Sequence, residues 1–192
     1  MSENVELLER SLLRALSHTM EEIAFEQVEK IADSERIDVF NGKLLNPESG
    51  YFTDSPGTDS GSGENEKFWA ELGLKAPLSG IIVVEVSKGY ASALCKVLYG
   101  MGMENPHDDM IRDSMAELLN TIGGCFMKEL IPPEQEYEWG FPVTGKGRYE
   151  TLDEPILETY CDINGDILKM TIVGKDISDY RVDHPSIQEG EL

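Results

Sequence analysis

An α+β architecture, with a mainly antiparallel sheet carrying two long helices on one face, is the expectation set by three features of this 192-residue chain. Two segments, residues 4–25 and 108–130, repeat apolar residues at helical spacing. Between and after them lie short runs rich in β-branched residues, two of which are joined by Asn164-Gly165, a pair that favours a tight hairpin. The order is helix, strands, short helix, helix, strands, as expected where helices collect on one side of an antiparallel sheet.

The first helix is read from Leu8, Leu12, Ala15, Leu16, Thr19, Met20 and Ile23 on one face, with Glu6, Glu9, Arg10, Arg14 and Glu21 on the other. Extended segments follow at Glu26 to Ile31 and Arg36 to Leu45, the second broken by the turn-forming Asn41-Gly42. Residues 46–66 (NPESGYFTDSPGTDSGSGENE) carry too little apolar surface to order themselves and read as a mobile acidic surface loop. Phe68 to Lys75 and Leu78 to Ser87 read as strands, the second nearly all apolar and β-branched. Ala91 to Tyr99 is a short helix stopped by Gly100 and Gly102. The second long helix starts after His107 and ends before Pro132-Pro133. Tyr137 to Thr144, Pro155 to Ile163 and Asp166 to Val173 complete the strands. The expected organisation is one domain over residues 1–176, with the loop inserted in it and an acidic tail at 177–192.

Sixteen Lys and Arg against thirty-seven Asp and Glu leave a net charge of −21. A field of that sign repels phosphate backbones and anionic lipid, which argues against general nucleic-acid or membrane-surface binding. The N-terminal MSENVELLERSLLRALSH interrupts its apolar residues with charges and reads as no signal peptide, and the longest apolar run, Ile81 to Val84, is far too short for a membrane span. Cys95, Cys125 and Cys161 are isolated and odd in number, and read as reduced cytoplasmic thiols. His18, His107 and His184 are equally scattered, so no zinc site is expected. Gly145-Lys146-Gly147 lacks the surroundings of a phosphate-binding loop and reads as a turn. Trp69 and Trp139 fall in strand-like segments and read as core or interface residues.

The second long helix carries the candidate chemistry. Ile111, Met115, Leu118, Ile122 and Cys125 form its apolar stripe, so Asp113, Glu117, Asn120 and Gly124, spaced by four, three and four, line up on the opposite side. Gly123 and Gly124 each sacrifice about 1 kcal/mol of helix propensity relative to Ala. Together they are expected to clear the space beside Asn120 for another surface to approach. A carboxylate and a carboxamide one turn apart would then face the visitor. An amide offers both donor and acceptor and can hold a water in line with a phosphoryl group.

Leu78-Ser79-Gly80-Ile81-Ile82-Val83-Val84, the short helix at 91–100, and Asp113-Ser-Met-Ala-Glu117-Leu-Leu-Asn120-Thr-Ile-Gly-Gly124 resemble the CheC/CheX/FliY family of chemotaxis phosphatases. The family pattern sets an acidic or Ser residue, then Glu four residues on, Asn three further, and a Pro about twenty-two residues later. Asp113, Glu117 and Asn120 fit it, and Pro142 follows Asn120 after twenty-one residues. The resemblance implies two long helices exposed on a sheet and hydrolysis of the aspartyl phosphate of a CheY-like response regulator. Asn120 would then orient the attacking water and Glu117 would contact the receiver's active-site lysine, with Asp113, Gly123, Gly124 and Pro142 at the partner surface. The phosphate and its Mg²⁺ would belong to the receiver, so no cofactor of this chain's own is implied.

The first helix offers His18-Thr-Met-Glu21-Glu22-Ile-Ala-Phe25, acids without the Asn. One site per chain resembles CheX, which implies a homodimer, more than CheC or FliY, whose CheC-type members carry the motif in both long helices. The alternative is a non-catalytic adaptor or scaffold of the same fold, binding a receiver or a flagellar switch component.

Overall fold

The computed structural model describes residues 3–31, 43–45, 52–54, 66–100, 105–151, 153–174 and 176–177. In chain order these form α1 (Glu3–Ile23), β1 (Glu29–Lys30), β2 (Lys43–Leu45), β3 (Phe52–Asp54), β4 (Lys67–Ala76), β5 (Gly80–Ser87), α2 (Lys88–Tyr99), α3 (Asp108–Leu130), β6 (Glu138–Trp139), β7 (Val143–Lys146), β8 (Pro155–Ile163) and β9 (Asp166–Val173). Seven strands make one antiparallel sheet in the order β1-β8-β9-β5-β4-β6, with β7 also paired to β4. The expected α+β architecture is the observed one.

Alternation sets the layers. Along β4, Phe68, Ala70, Leu72 and Leu74 are buried toward the helices, while Lys67, Trp69, Glu71 and Gly73 are only half-buried on the other face. Ile82, Val84 and Val86 of β5 and Leu168, Met170 and Ile172 of β9 continue the inner face. Leu12, Leu16 and Met20 of α1 and Ile111, Met115, Leu118, Ile122 and Phe126 of α3 close over it, all fully buried. α1 and α3 lie against each other, and α3 lies on β4. Each such aliphatic or aromatic side chain contributes about 1.5–3 kcal/mol by leaving water, which is why the helices adhere by their stripes.

Local chemistry fixes the helix ends. Ser87 Oγ accepts from the Tyr90 amide at 3.1 Å and caps α2, and Gly100, at φ 105°, ends it. Asp108 and Asp109 sit in the first turn of α3 and Lys128 in the last, the arrangement the helix dipole favours. Lys146 of β7 reaches Asp108 at 2.7 Å and Glu66 at 2.8 Å, and Glu66 also meets Lys88 at 2.8 Å. The start of α3 is thereby tied to β7 and to the start of α2. Hydrogen bonding by Lys146 holds both carboxyls below the usual carboxylate range and raises Lys146 in return, chiefly through Asp108.

Four expectations change. Tyr137 to Thr144 is not one strand. It splits into β6 and β7 around Gly140-Phe141-Pro142: Trp139 pairs with Leu74 and Val143 with Glu71, so these three residues stand against only Leu72 and Gly73, and Pro142 has no amide to donate. Only Glu29–Lys30 of the 26–31 segment is strand. Of Arg36 to Leu45, Lys43–Leu45 is strand, and Asn41-Gly42 lies outside the described residues. Within the expected loop at 46–66, Phe52–Asp54 pairs with Lys43–Leu45 as a separate hairpin, on an aromatic and β-branched island in an otherwise Gly/Ser-rich stretch. Residues 46–51 and 55–65 and the tail from 178 onward lie outside the described residues. Ile177 is fully buried and packs at Gly80, where any Cβ would overlap it and the Val173 carbonyl.

Candidate functional site

The 23 residues of α3 divide as an amphipathic rod must. Ile111, Ser114, Met115, Leu118, Leu119, Ile122, Gly123, Phe126 and Met127 are buried. Asp113 and Glu117 are exposed, and Asn120 and Gly124 are half-buried on the same outward line. Thr121 Oγ1 donates to the Glu117 carbonyl at 3.0 Å, which leaves the Glu117 carboxylate uninvolved. Among the described residues neither Asp113 nor Glu117 is in an ion pair.

The two glycines do different things. An added Cβ at Gly124 meets no heavy atom within 4 Å, so the helix is bare there beside Asn120. At Gly123 an added Cβ would overlap Leu72 Cδ2. Gly123 is therefore not a partner-facing residue, contrary to expectation: it is buried and lets α3 settle onto β4. Helical spacing carries the signal that separates the two: Gly123 lies four residues after Leu119 and eight after Met115 of the buried stripe, whereas Gly124 continues the outward line.

Asn120 has a partner the sequence did not disclose. Trp139 Nε1 donates to Asn120 Oδ1 at 3.0 Å. Trp139 is placed by its pairing with Leu74 of β4, by the Gly140 amide donating to the Gly73 carbonyl at 2.7 Å, and by Tyr137 stacked at 5.6 Å with planes 21° apart. Among the described residues Asn120 Nδ2 makes no hydrogen bond. Pro142 is half-buried, three residues beyond Trp139, and Phe141 between them is 94% exposed. A residue of that size left in water, two positions after the Trp139 that bonds Asn120, gives this edge of the sheet an apolar side chain open to solvent.

Other candidates fall away on geometry. Cys125 is half-buried against the core, and Cys95 and Cys161 are buried. Among the described residues no three His, Cys, Asp or Glu are grouped to hold a metal ion, and no helix is long and apolar enough to cross a membrane. Trp69 lies on the outer face of the sheet, edge-on to Tyr149 at 5.2 Å and covering Gly145.

Sheet and paired helices define an α+β protein with the fold of CheX and CheC-like proteins, here carrying an exposed acid–amide line on α3. Over residues 68–162 the chain is similar to the CheX branch of the CheC/CheX/FliY family. The family described as "Chemotaxis phosphatase CheX" matches residues 68–162, a span that includes Asp113, Glu117, Asn120, Trp139 and Pro142. Among solved structures, CheX from Vibrio vulnificus is 14% identical with a TM-score of 0.58, over 86% of this chain and 95% of that one. CheX from Desulfovibrio desulfuricans is 15% identical with a TM-score of 0.59, over 86% and 97%. The CheX–CheY–BeF3–Mg²⁺ complex from Borrelia burgdorferi matches at 16% identity and a TM-score of 0.56, over 86% and 96%. Identities this low speak to the fold. No curated protein matches the sequence significantly.

Proposed function

We propose that this chain hydrolyses the aspartyl phosphate of a CheY-like response regulator. The observation that carries the proposal is the outward amide of Asn120, held at its carbonyl by Trp139 and flanked by the exposed Glu117 carboxylate and the bare Gly124. The match of residues 68–162 to a chemotaxis phosphatase family and a fold shared with a CheX crystallised with CheY support the choice of partner.

In the step proposed, a water oxygen bonds to phosphorus while the bond from phosphorus to the receiver's aspartyl oxygen breaks. The aspartate leaves as carboxylate, inorganic phosphate forms, and the water proton passes to it. Asn120 contributes orientation, accepting from the water through the second lone pair of Oδ1. Glu117 docks on a receiver lysine, a charge-assisted contact that sets register. The Mg²⁺ and the phosphoryl group are substrate, carried by the receiver. With a net charge of −21, this chain gains nothing from long-range attraction to another acidic protein. Close contacts such as that of Glu117 must hold the pair. The proposal extends to a homodimer working in the cytoplasm, and light scattering on the purified protein tests the paired state.

The deciding experiment follows the decay of a chemically phosphorylated CheY-type receiver with wild-type protein and with Asn120→Ala. The variant should lose about a hundredfold or more, the scale of removing one preorganised polar group from an active site. Equal decay with both proteins refutes the proposal, and receiver binding without turnover by the wild type would make the chain an adaptor.

A further inference from the structure

Resting on the phosphatase reading above, we infer that Trp139 is a positioning residue: its indole N–H fixes which end of the Asn120 amide is offered to the water. An indole nitrogen is a donor only, so the atom facing it at 3.0 Å is the amide oxygen and not the NH₂. The two ends of an asparagine amide are nearly the same size, and its terminal torsion is broad and roughly two-fold. Nothing in Asn120 itself prevents a half-turn that would swap acceptor for donor. Facing the indole, the flipped amide would set N–H against N–H, and a part-buried donor without an acceptor is penalised. Trp139 thus selects one of two near-equal states.

The selected state suits the task. A nucleophilic water must point a lone pair at phosphorus and give its protons to acceptors. Oδ1 keeps one lone pair for that purpose after receiving the indole, while the flipped amide would present only donors. The indole is itself held by the stacked Tyr137 ring, by the β6–β4 pairing and by the Gly140 to Gly73 hydrogen bond. The orientation of the amide on α3 is therefore written on the edge of the sheet, in a residue that never meets the substrate.

Trp139→Phe keeps a ring for Tyr137 to stack on and removes the N–H. With a phosphorylated CheY-type receiver, kcat should fall about five- to tenfold, the scale of one neutral hydrogen bond, with KM within about twofold. In an Asn120→Ala background the same substitution should slow turnover no further, because it acts through the amide. A kcat that is unchanged or raised in Trp139→Phe, or a loss that persists undiminished in the Asn120→Ala background, overturns the inference while leaving the phosphatase proposal standing. If Asn120→Ala alone changes nothing, both fall together. An activity-independent check uses the two indole N–H resonances expected from Trp69 and Trp139. Asn120→Ala should shift one and leave the other, and two unmoved resonances would show that the contact is not made.

Discussion

Two adjacent glycines in one helix should answer the same substitution with opposite signs. At Gly124 an added methyl meets nothing within 4 Å, so Gly124→Ala gains the intrinsic helix preference of alanine, about 1 kcal/mol, and part of it through a less free unfolded chain. For a chain of this size that is a rise in Tm of about 2–4 °C. At Gly123 the same gain is opposed by overlap with Leu72, whose side chain is fully buried and has no solvent to retreat into. Overpacking a filled core is unfavourable by about 1–3 kcal/mol, so Gly123→Ala should be destabilised by up to about 2 kcal/mol. Urea unfolding of the two variants and the wild type, with slopes compared, reads both changes. Turnover separates them further: if a receiver lies against the bare stretch of α3, Gly124→Ala should be the more stable protein and the slower phosphatase. A Gly123→Ala protein as stable as wild type would mean that α3 need not approach β4 so closely, and a destabilised Gly124→Ala would show that its flank is not open.

Tyr149 donates to Glu71 at 2.8 Å, and burial, with Glu71 adding to it, pushes its phenol up to about 12 from 10.0. The folded state then binds the proton more tightly than the unfolded one, so its contribution to stability is complete below pH 10 and is lost as pH rises to about 12. Absorbance titration of Tyr149→Phe should lose one late-titrating tyrosine, and a loss confined to the step near pH 10 would contradict the assignment. Phe141→Ser should leave stability within about 0.5 kcal/mol, as expected for a side chain 94% exposed, and raise KM for the phosphorylated receiver at constant kcat. An unchanged KM would remove Phe141 from the docking surface.

Periodic signals were legible wherever one face had to be buried. The bounds of α3 at Asp108 and Leu130 follow from its stripe and its flanking Pro and Asp residues. The β8–β9 hairpin follows from Asn164-Gly165, whose φ values of 55° and 90° are those such a turn requires. The acid–amide line of Asp113, Glu117 and Asn120 is simple helical geometry. What escaped was set by contacts distant in sequence. The helical register already sets Gly123 on the stripe of Met115 and Leu119 and Gly124 on the outward line, but only the contact with Leu72 shows that Gly123 serves helix–sheet approach and not a partner. The break at Gly140-Phe141-Pro142 depends on how those three residues meet only two, Leu72 and Gly73, of a strand more than sixty residues earlier. Trp139 has the look of a core residue because its polar atom is a single N–H, and only the packing of β6 against α3 reveals what that atom serves.

That dependence sets the order in which heat should undo the molecule. β6 is two residues long and its pairing with β4 is itself irregular, so it should open at lower free energy than the α1–α3 core. When it frays the indole departs and the amide is released to rotate, although every helix remains in place. If the chain is the phosphatase proposed, warming should therefore abolish turnover several degrees before the circular dichroism changes, with reversible recovery on cooling. Such an enzyme would stop working at a lower temperature than its melting curve would indicate.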